Sequence, residues 1–191
     1  MLDRRQAVAT LLRERPEHLL VVPGLGSSTY DVAAAGDDPR NFYLWGAMGG
    51  ALSIGLGLAL AQPAKRVLVV TGDGEMLMGM GSLATVGAKR QQNLAVAVID
   101  NEAYGETGGQ ASHTRLGVDL AAVALACGFK QAHTARTLAE LQPLRDVLLH
   151  ASGPVLAVIK TAAGEMPRVL PERDGHLIRA RFRAAVVCGQ S

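Results

Sequence analysis

Asp73 stands between two glycines, Gly72 and Gly74, just after the apolar run Arg66–Val70 and ahead of a helix-like stretch. Flanking glycines let the backbone come close to a ligand. A helix start adds unpaired amides that favour an anion such as diphosphate. Asn101 follows a second apolar run, Leu94–Asp100, and brings a neutral amide oxygen. Ser27 and Ser28 close a third small-residue loop, which follows the run His18–Val22. One carboxylate, one amide oxygen and nearby carbonyls are hard donors, and with phosphate oxygens they suit octahedral Mg²⁺. The chemistry these residues point to is a metal–diphosphate cradle. Taken singly, each has an ordinary role: Gly-Asp-Gly is a common turn, Asn101 a turn residue, and Ser27 or Ser28 a helix cap. Gly24-Leu25-Gly26 followed by Thr29 is also an incomplete dinucleotide fingerprint, lacking its third glycine.

The elements that must position these groups alternate along the chain. Helices are predicted over Arg4–Glu14, Ser28–Ala35, Gly49–Ala61, Glu75–Lys89 and Val118–Ala126, and another from Thr137. Thr137 and Glu140 match a capping box, and Pro143 falls inside the apolar stripe that follows. Strands are predicted at His18–Val22, Phe42–Leu44, Arg66–Val70, Leu94–Asp100 and Val155–Ile159, and a closing helix near His176–Val187. The strand runs are continuously apolar rather than alternating, as in a parallel sheet covered on both faces. The fold class is therefore α/β, a three-layer α/β/α arrangement with a mostly parallel sheet. In such a sheet the loops Gly24–Ser28, Gly72–Gly74 and Asp100–Gly109 all emerge at the carboxyl edge, where ligands bind.

Joined together, these pieces carry a resemblance. Gly72-Asp73-Gly74, then a helix and a strand across residues 75–100, then Asn101, resembles the cofactor motif of thiamine diphosphate enzymes. Trp45-Gly46-Ala47-Met48-Gly49 is similar to that family's Gly-Ser-Met-Gly segment. The stretch from Asn101 through Tyr104, Gly105, Thr107 and Gly108 to Gln110 resembles the Asn-x-x-Tyr-Gly-x-Thr-Gly-Gly-Gln stretch of phosphonopyruvate and sulfopyruvate decarboxylases.

The resemblance implies a role for each residue. Asp73, the Asn101 side chain and the Ala103 carbonyl would hold Mg²⁺. The amides of Gly74 and Glu75, with Gly72, Met76 and Tyr104 close by and Ser27 or Ser28 from the first loop, would bind the diphosphate. The Gly46 carbonyl would accept from the pyrimidine amino group. Met48 would wedge the cofactor into a bent shape and so belong to the catalytic set with Thr107, which lies where substrate approaches. Glu75 departs from the small residue usual at its position, so its carboxylate is expected to turn away from the phosphates. The implied activity is decarboxylation of a small 2-oxo acid. An acetolactate-synthase-like carboligase, a 2-oxo acid oxidoreductase and a non-catalytic cofactor-binding module are the alternatives. Residues 1–191 are read as one diphosphate-binding domain with 165–191 as a tail. The family's catalytic glutamate comes from a pyrimidine-binding domain, so the chain resembles a beta subunit that needs an alpha partner.

Composition bounds these readings. With 191 residues, 49% of them hydrophobic, the chain can bury a core without metal or disulfide staples. A net charge of +2 gives no broad field for nucleic acid. Two cysteines are too few for a disulfide framework, and the default setting is cytoplasmic. The uncharged stretch Asn41–Ala64 is long enough to span a bilayer, yet it holds five glycines and reads instead as a buried helix with its lead-in. His113 is the one histidine near the expected site and reads as a solvent-facing loop residue.

Overall fold

The computed structural model describes residues 1–187; Cys188 lies outside them. Five strands form one wholly parallel sheet in the order β1-β2-β3-β7-β6. They are β1 (Leu19–Pro23), β2 (Arg66–Gly72), β3 (Leu94–Asp100), β6 (Gln131–Ala135) and β7 (Val155–Lys160). Side chains alternate across the sheet, and this sorts the apolar runs into two cores. Leu19, Val21, Leu68, Val70, Ala95, Ala97, Ala157 and Ile159 pack on one face with α1 (Arg4–Leu12), α2 (Ser27–Ala34) and α7 (Leu138–His150). Leu20, Val22, Val67, Val69, Val96, Val98, Leu156 and Val158 pack on the other with α3 (Ala51–Ala61), α5 (Gly81–Lys89) and α6 (Leu120–Ala126). Both faces are covered, which is why the strand sequences lack polar alternation. The chain closes with α8 (Gly175–Val187), whose Ile178, Phe182 and Val186 are buried.

Several local expectations are corrected. Phe42–Leu44 is no strand: a single bridge, Asn41 to Val21, is all that forms beside β1. Tyr43 hydroxyl instead donates to Asp37 at 3.0 Å, and Phe42 packs its ring on Phe182. The helix expected over Glu75–Lys89 breaks into α4 (Asp73–Met78) and α5. The break falls at Gly79, where a Cβ would lie 2.1 Å from the Gly49 carbonyl oxygen. Strand β6 escapes sequence reading because Gln131, His133 and Thr134 make a half-buried polar edge. Two short strands, β4 (Ala103–Tyr104) and β5 (Gln110–Ala111), form a hairpin in the loop after β3. The capping box at Thr137 and Glu140 is present, and α7 runs on through Pro143 without interruption. Among the described residues no helix is long and apolar enough to cross a membrane.

Candidate functional site

The register of the central strands builds the site. Gly24 donates its amide to Val70, Gly72 pairs with Ile99, and Asp73 and Asn101 therefore leave adjacent strand ends at the carboxyl edge. A cavity of about 220 Å³ opens there. Its wall takes Ser27 and Ser28 from the first loop and Met48 from the segment ahead of α3. Gly72, Asp73, Gly74 and Glu75 come from the β2–α4 turn, and Asn101, Ala103, Tyr104 and Thr107 from the loop after β3. Residues as far apart as Ser27 and Thr107 thus share one surface. Helix α2 enters it with Gly26 as N-cap and α4 with Gly72, and neither N-cap side chain bonds a first-turn amide. The first-turn amides of α2 remain available to an anion, whereas in α4 the Asp73 carboxylate itself accepts from the Asp73 and Gly74 amides.

Two expected residues stand elsewhere. Met76 is 2% exposed and packs in the core on the α3 side of the sheet, because α4 turns that position inward; Met78 lines the cavity instead. Gly46 is an exposed bend outside the cavity wall, next to Ala47, whose φ of 57° is left-handed. His113 is exposed and sets its ring edge-on to Tyr104, with the ring centroids 6.0 Å apart.

Asp73 is 2% exposed, and its Oδ2 accepts from the Ser112 hydroxyl at 2.5 Å. Ser112 shares a hydrogen bond with Thr114 at 2.9 Å, and Thr114 donates to Asp100 at 2.8 Å. Lys160 then pairs with Asp100 at 2.7 Å and with Glu102 at 2.8 Å, fixing the loop after β3 against β7. Asn101 Oδ1 accepts from the Ala103 amide at 3.1 Å, which folds the loop back on itself. Sequence reading missed Ser112 and Thr114. Their alternation after the Gln110 motif is the one local sign that both face the same way.

Burial pushes the Asp73 carboxyl up from 3.8 to about 6, Asp100 adds to the rise, and the Ser112 hydroxyl and local amides oppose it. A raised carboxyl favours the fold below its unfolded value and costs the fold as pH climbs through the folded one. The metal-free chain should therefore lose of order 3 kcal/mol of stability between pH 4 and pH 7 from this group. Thermal melts across that range would read the loss, and Asp73→Asn should flatten the profile. Added Mg²⁺ and diphosphate should recover stability at pH 7 but not at pH 4.5.

Glu75 turns away from the anion side, and its carboxylate ties the loops together. It accepts from the Thr71 hydroxyl at 2.8 Å, the Leu25 amide at 3.1 Å and the Gly49 amide at 3.3 Å. Burial raises its pKa, and these donors pull it back. A Cβ at Gly24 would fall 1.7 Å from Glu75 Oε2, so the first loop reaches this carboxylate only with glycine there. Glu75→Ala would take the acceptor from the buried Thr71 hydroxyl and from the partly buried Leu25 and Gly49 amides, and should cost about 2–4 kcal/mol in denaturant titrations. Glu75→Gln keeps one accepting oxygen and should cost less than half of that.

The donor set fits a phosphate-borne cation. Among the described residues no three His, Cys, Asp or Glu side chains gather around a metal position. One buried carboxylate, one amide oxygen and a carbonyl suit an ion that takes the rest of its shell from phosphate and water, as Mg²⁺ does.

Loops of this kind, at the carboxyl edge of a doubly covered parallel sheet, define an α/β protein whose ligand site lies at that edge. The particular family follows from comparison. The family of thiamine pyrophosphate enzymes, through the description "C-terminal TPP binding domain", matches residues 24–159, and the chain belongs to it. That membership replaces the dinucleotide-binding alternative for Gly24–Ser28. Phosphonopyruvate decarboxylase of Streptomyces viridochromogenes is 39% identical over 96% of this chain and 46% of its own length. Sulfopyruvate decarboxylase subunit beta of Methanothermobacter thermautotrophicus is 36% identical over 95% of this chain and 94% of its own. The chain thus spans about half the length of the phosphonopyruvate decarboxylases it matches and nearly all of that beta subunit. An enzyme from Mycobacterium smegmatis described as thiamin diphosphate-dependent shares the fold. It has a TM-score of 0.73 at 22% identity over 85% of this chain and 32% of its own.

Proposed function

We propose that this chain is the diphosphate-binding beta subunit of a thiamine-diphosphate-dependent 2-oxo acid decarboxylase, with sulfopyruvate or phosphonopyruvate as the substrate type. The observation that carries the reading is the convergence of Asp73, Asn101 and Ala103 on one cavity beside the uncapped start of α2. Relatives named for decarboxylation of these two acids, matching along 95–96% of the chain, support the substrate class. The beta-subunit relative, aligned end to end, supports an alpha partner that carries the pyrimidine-binding half. A cytoplasmic setting fits the free thiol of Cys127.

In this reading Asp73, the Asn101 side chain and the Ala103 carbonyl hold Mg²⁺. The amides of Gly74 and Glu75, and Ser27 or Ser28, hold the diphosphate. Thiamine diphosphate supplies the electron sink that a departing carboxylate needs. The protein's part is position and electrostatics. Ser112 and Thr114 keep the Asp73 carboxylate aimed at the metal. Lys160 holds the loop that presents Asn101 and Ala103. Met48 would pack against the bound cofactor from the cavity wall, and the Gly46 carbonyl, on the exposed bend beyond that wall, would accept from the pyrimidine amino group. Thr107 and Tyr104 border the side from which substrate enters.

The test is calorimetric titration of the purified chain with thiamine diphosphate, with and without Mg²⁺, and with NAD as the contrast. Mg²⁺-dependent binding of thiamine diphosphate alone is expected. Binding of NAD instead, or cofactor binding indifferent to Mg²⁺, overturns the reading. With the partner present, CO₂ release from a panel of 2-oxo acids separates decarboxylation from carboligation.

A further inference from the structure

The cavity has one cation in its wall that neither the motif nor the family resemblance assigns. Leu2 bridges to Thr161 in parallel, which starts α1 at the carboxyl edge of the sheet and brings Arg4, in the first helical turn, to the cavity. Arg4 is 5% exposed, and its Nε is buried with no hydrogen-bond partner. Its neighbour is Asp31 of α2, fully buried and one helical turn beyond Ser28. Arg4 Nη1 lies 3.4 Å from Asp31 Oδ2, an ion pair without a hydrogen bond on that oxygen. Arg5 bonds the other oxygen at 3.3 Å and also reaches the Pro167 carbonyl at 2.6 Å.

Two guanidinium groups therefore share one carboxylate, so the Arg4–Arg5–Asp31 cluster carries a net positive charge beside a cavity whose wall otherwise holds the carboxylates Asp73, Glu75 and Glu106. Among the described residues Arg4 is the only Lys or Arg lining the cavity, and Ser28, which it neighbours through Asp31, stands at the uncapped start of α2. The bound anion would carry more negative charge than one Mg²⁺ offsets, and guanidinium is the side chain best matched to phosphate oxygens.

We propose that Arg4 is an additional ligand of the cofactor, its guanidinium donating to the diphosphate, with Asp31 as its positioning residue. The inference rests on the thiamine diphosphate reading above. It makes Arg4 the element of the site that distinguishes a diphosphate from a monophosphate.

Every diphosphate donor invoked belongs to this chain, so the full chain is titrated with Mg²⁺ plus inorganic diphosphate, thiamine diphosphate or thiamine monophosphate. Arg4→Gln should weaken both diphosphate probes roughly tenfold to a hundredfold, the loss of one charge-assisted hydrogen bond. Its affinity for thiamine monophosphate should hardly change. A merely structural ion pair would weaken all three alike, and that result overturns the proposal. Arg5→Gln, which loses its bond to Asp31 without touching the cavity, should bind all three as the unaltered chain does. If Arg4→Gln does not fold, Arg4→Lys decides the matter. It keeps a charge opposite Asp31 but lacks the planar fork of donors that matches phosphate oxygens, so a loss of about tenfold for diphosphate supports the proposal and unchanged affinity overturns it. If the unaltered chain binds neither diphosphate probe, the cofactor reading itself fails. If it binds both and the Arg4 variants match it, only the role of Arg4 fails.

Discussion

Asp73→Ala should abolish Mg²⁺-dependent binding of thiamine diphosphate while leaving the chain folded. Asp73 supplies the only side-chain carboxylate proposed for the metal. Asn101 and the Ala103 carbonyl are neutral and cannot offset the charge of a divalent ion alone. The fold should survive because the substitution removes a buried carboxylate whose pKa burial raises to about 6, so the metal-free chain pays for its charge at neutral pH. Ser112 retains Thr114 as a hydrogen-bond partner, and Thr114 retains Asp100, so the loss of Asp73 strands no hydroxyl. The expected result is an affinity at least a hundredfold lower, on the scale of a lost charged metal ligand, with an unchanged or slightly higher melting temperature above pH 6. Unimpaired Mg²⁺-dependent binding would show that the metal is held elsewhere. Asp73→Asn should bind weakly but measurably, since an amide oxygen can still ligate.

How much of this was readable beforehand follows from which forces act locally. The three loops could be placed side by side because β1, β2, β3 and β7 are buried on both faces, and burial alone writes a continuous apolar run into sequence. Asp73 and Asn101 were legible because glycines and strand ends mark them. Met76 was assigned to the cofactor from its neighbourhood in sequence. The structure turns it into the core, since only helical phase decides between positions 76 and 78. The edge strand β6 carried no apolar signal. Ser112 reaches Asp73 across 39 positions of sequence, a contact that the hairpin β4–β5 creates and that no local pattern announces. Arg4 was unreadable for the same reason at larger scale: its place at the site depends on Leu2 pairing with Thr161, near the other end of the chain.

The carboxylates lining the cavity bear on what the chain does alone. A decarboxylating site of this family needs a carboxyl group beside the pyrimidine, and the wall offers three: Asp73, Glu75 and Glu106. Asp73 is engaged with the metal in the proposed arrangement. Glu75 is held by Thr71, Leu25 and Gly49. Glu106 lies over the first loop, close enough that a Cβ on Gly26 would sit 2.5 Å from its Oε1, on the diphosphate side. In the proposed arrangement, then, none of the three serves the pyrimidine. The rim is open as well: Gly46 and Ala47 are exposed, and Met78 is 64% exposed where it meets the cavity. At about 220 Å³ the cavity is smaller than the roughly 300–1,000 Å³ usual for a small-molecule site, as one wall of a larger site would be. An open rim also admits water to a reacting centre that needs to be dry. The purified chain should therefore bind Mg²⁺ and thiamine diphosphate yet release CO₂ from sulfopyruvate or phosphonopyruvate at least a thousandfold more slowly than the same chain with its pyrimidine-binding partner. Mixing the two chains and following CO₂ release against partner concentration measures this directly. Saturation at a fixed stoichiometry is expected, and replacing the chain's own Glu106 with Gln should leave the saturated rate within about threefold. Full turnover by the chain alone would mean that the missing carboxyl group is already present.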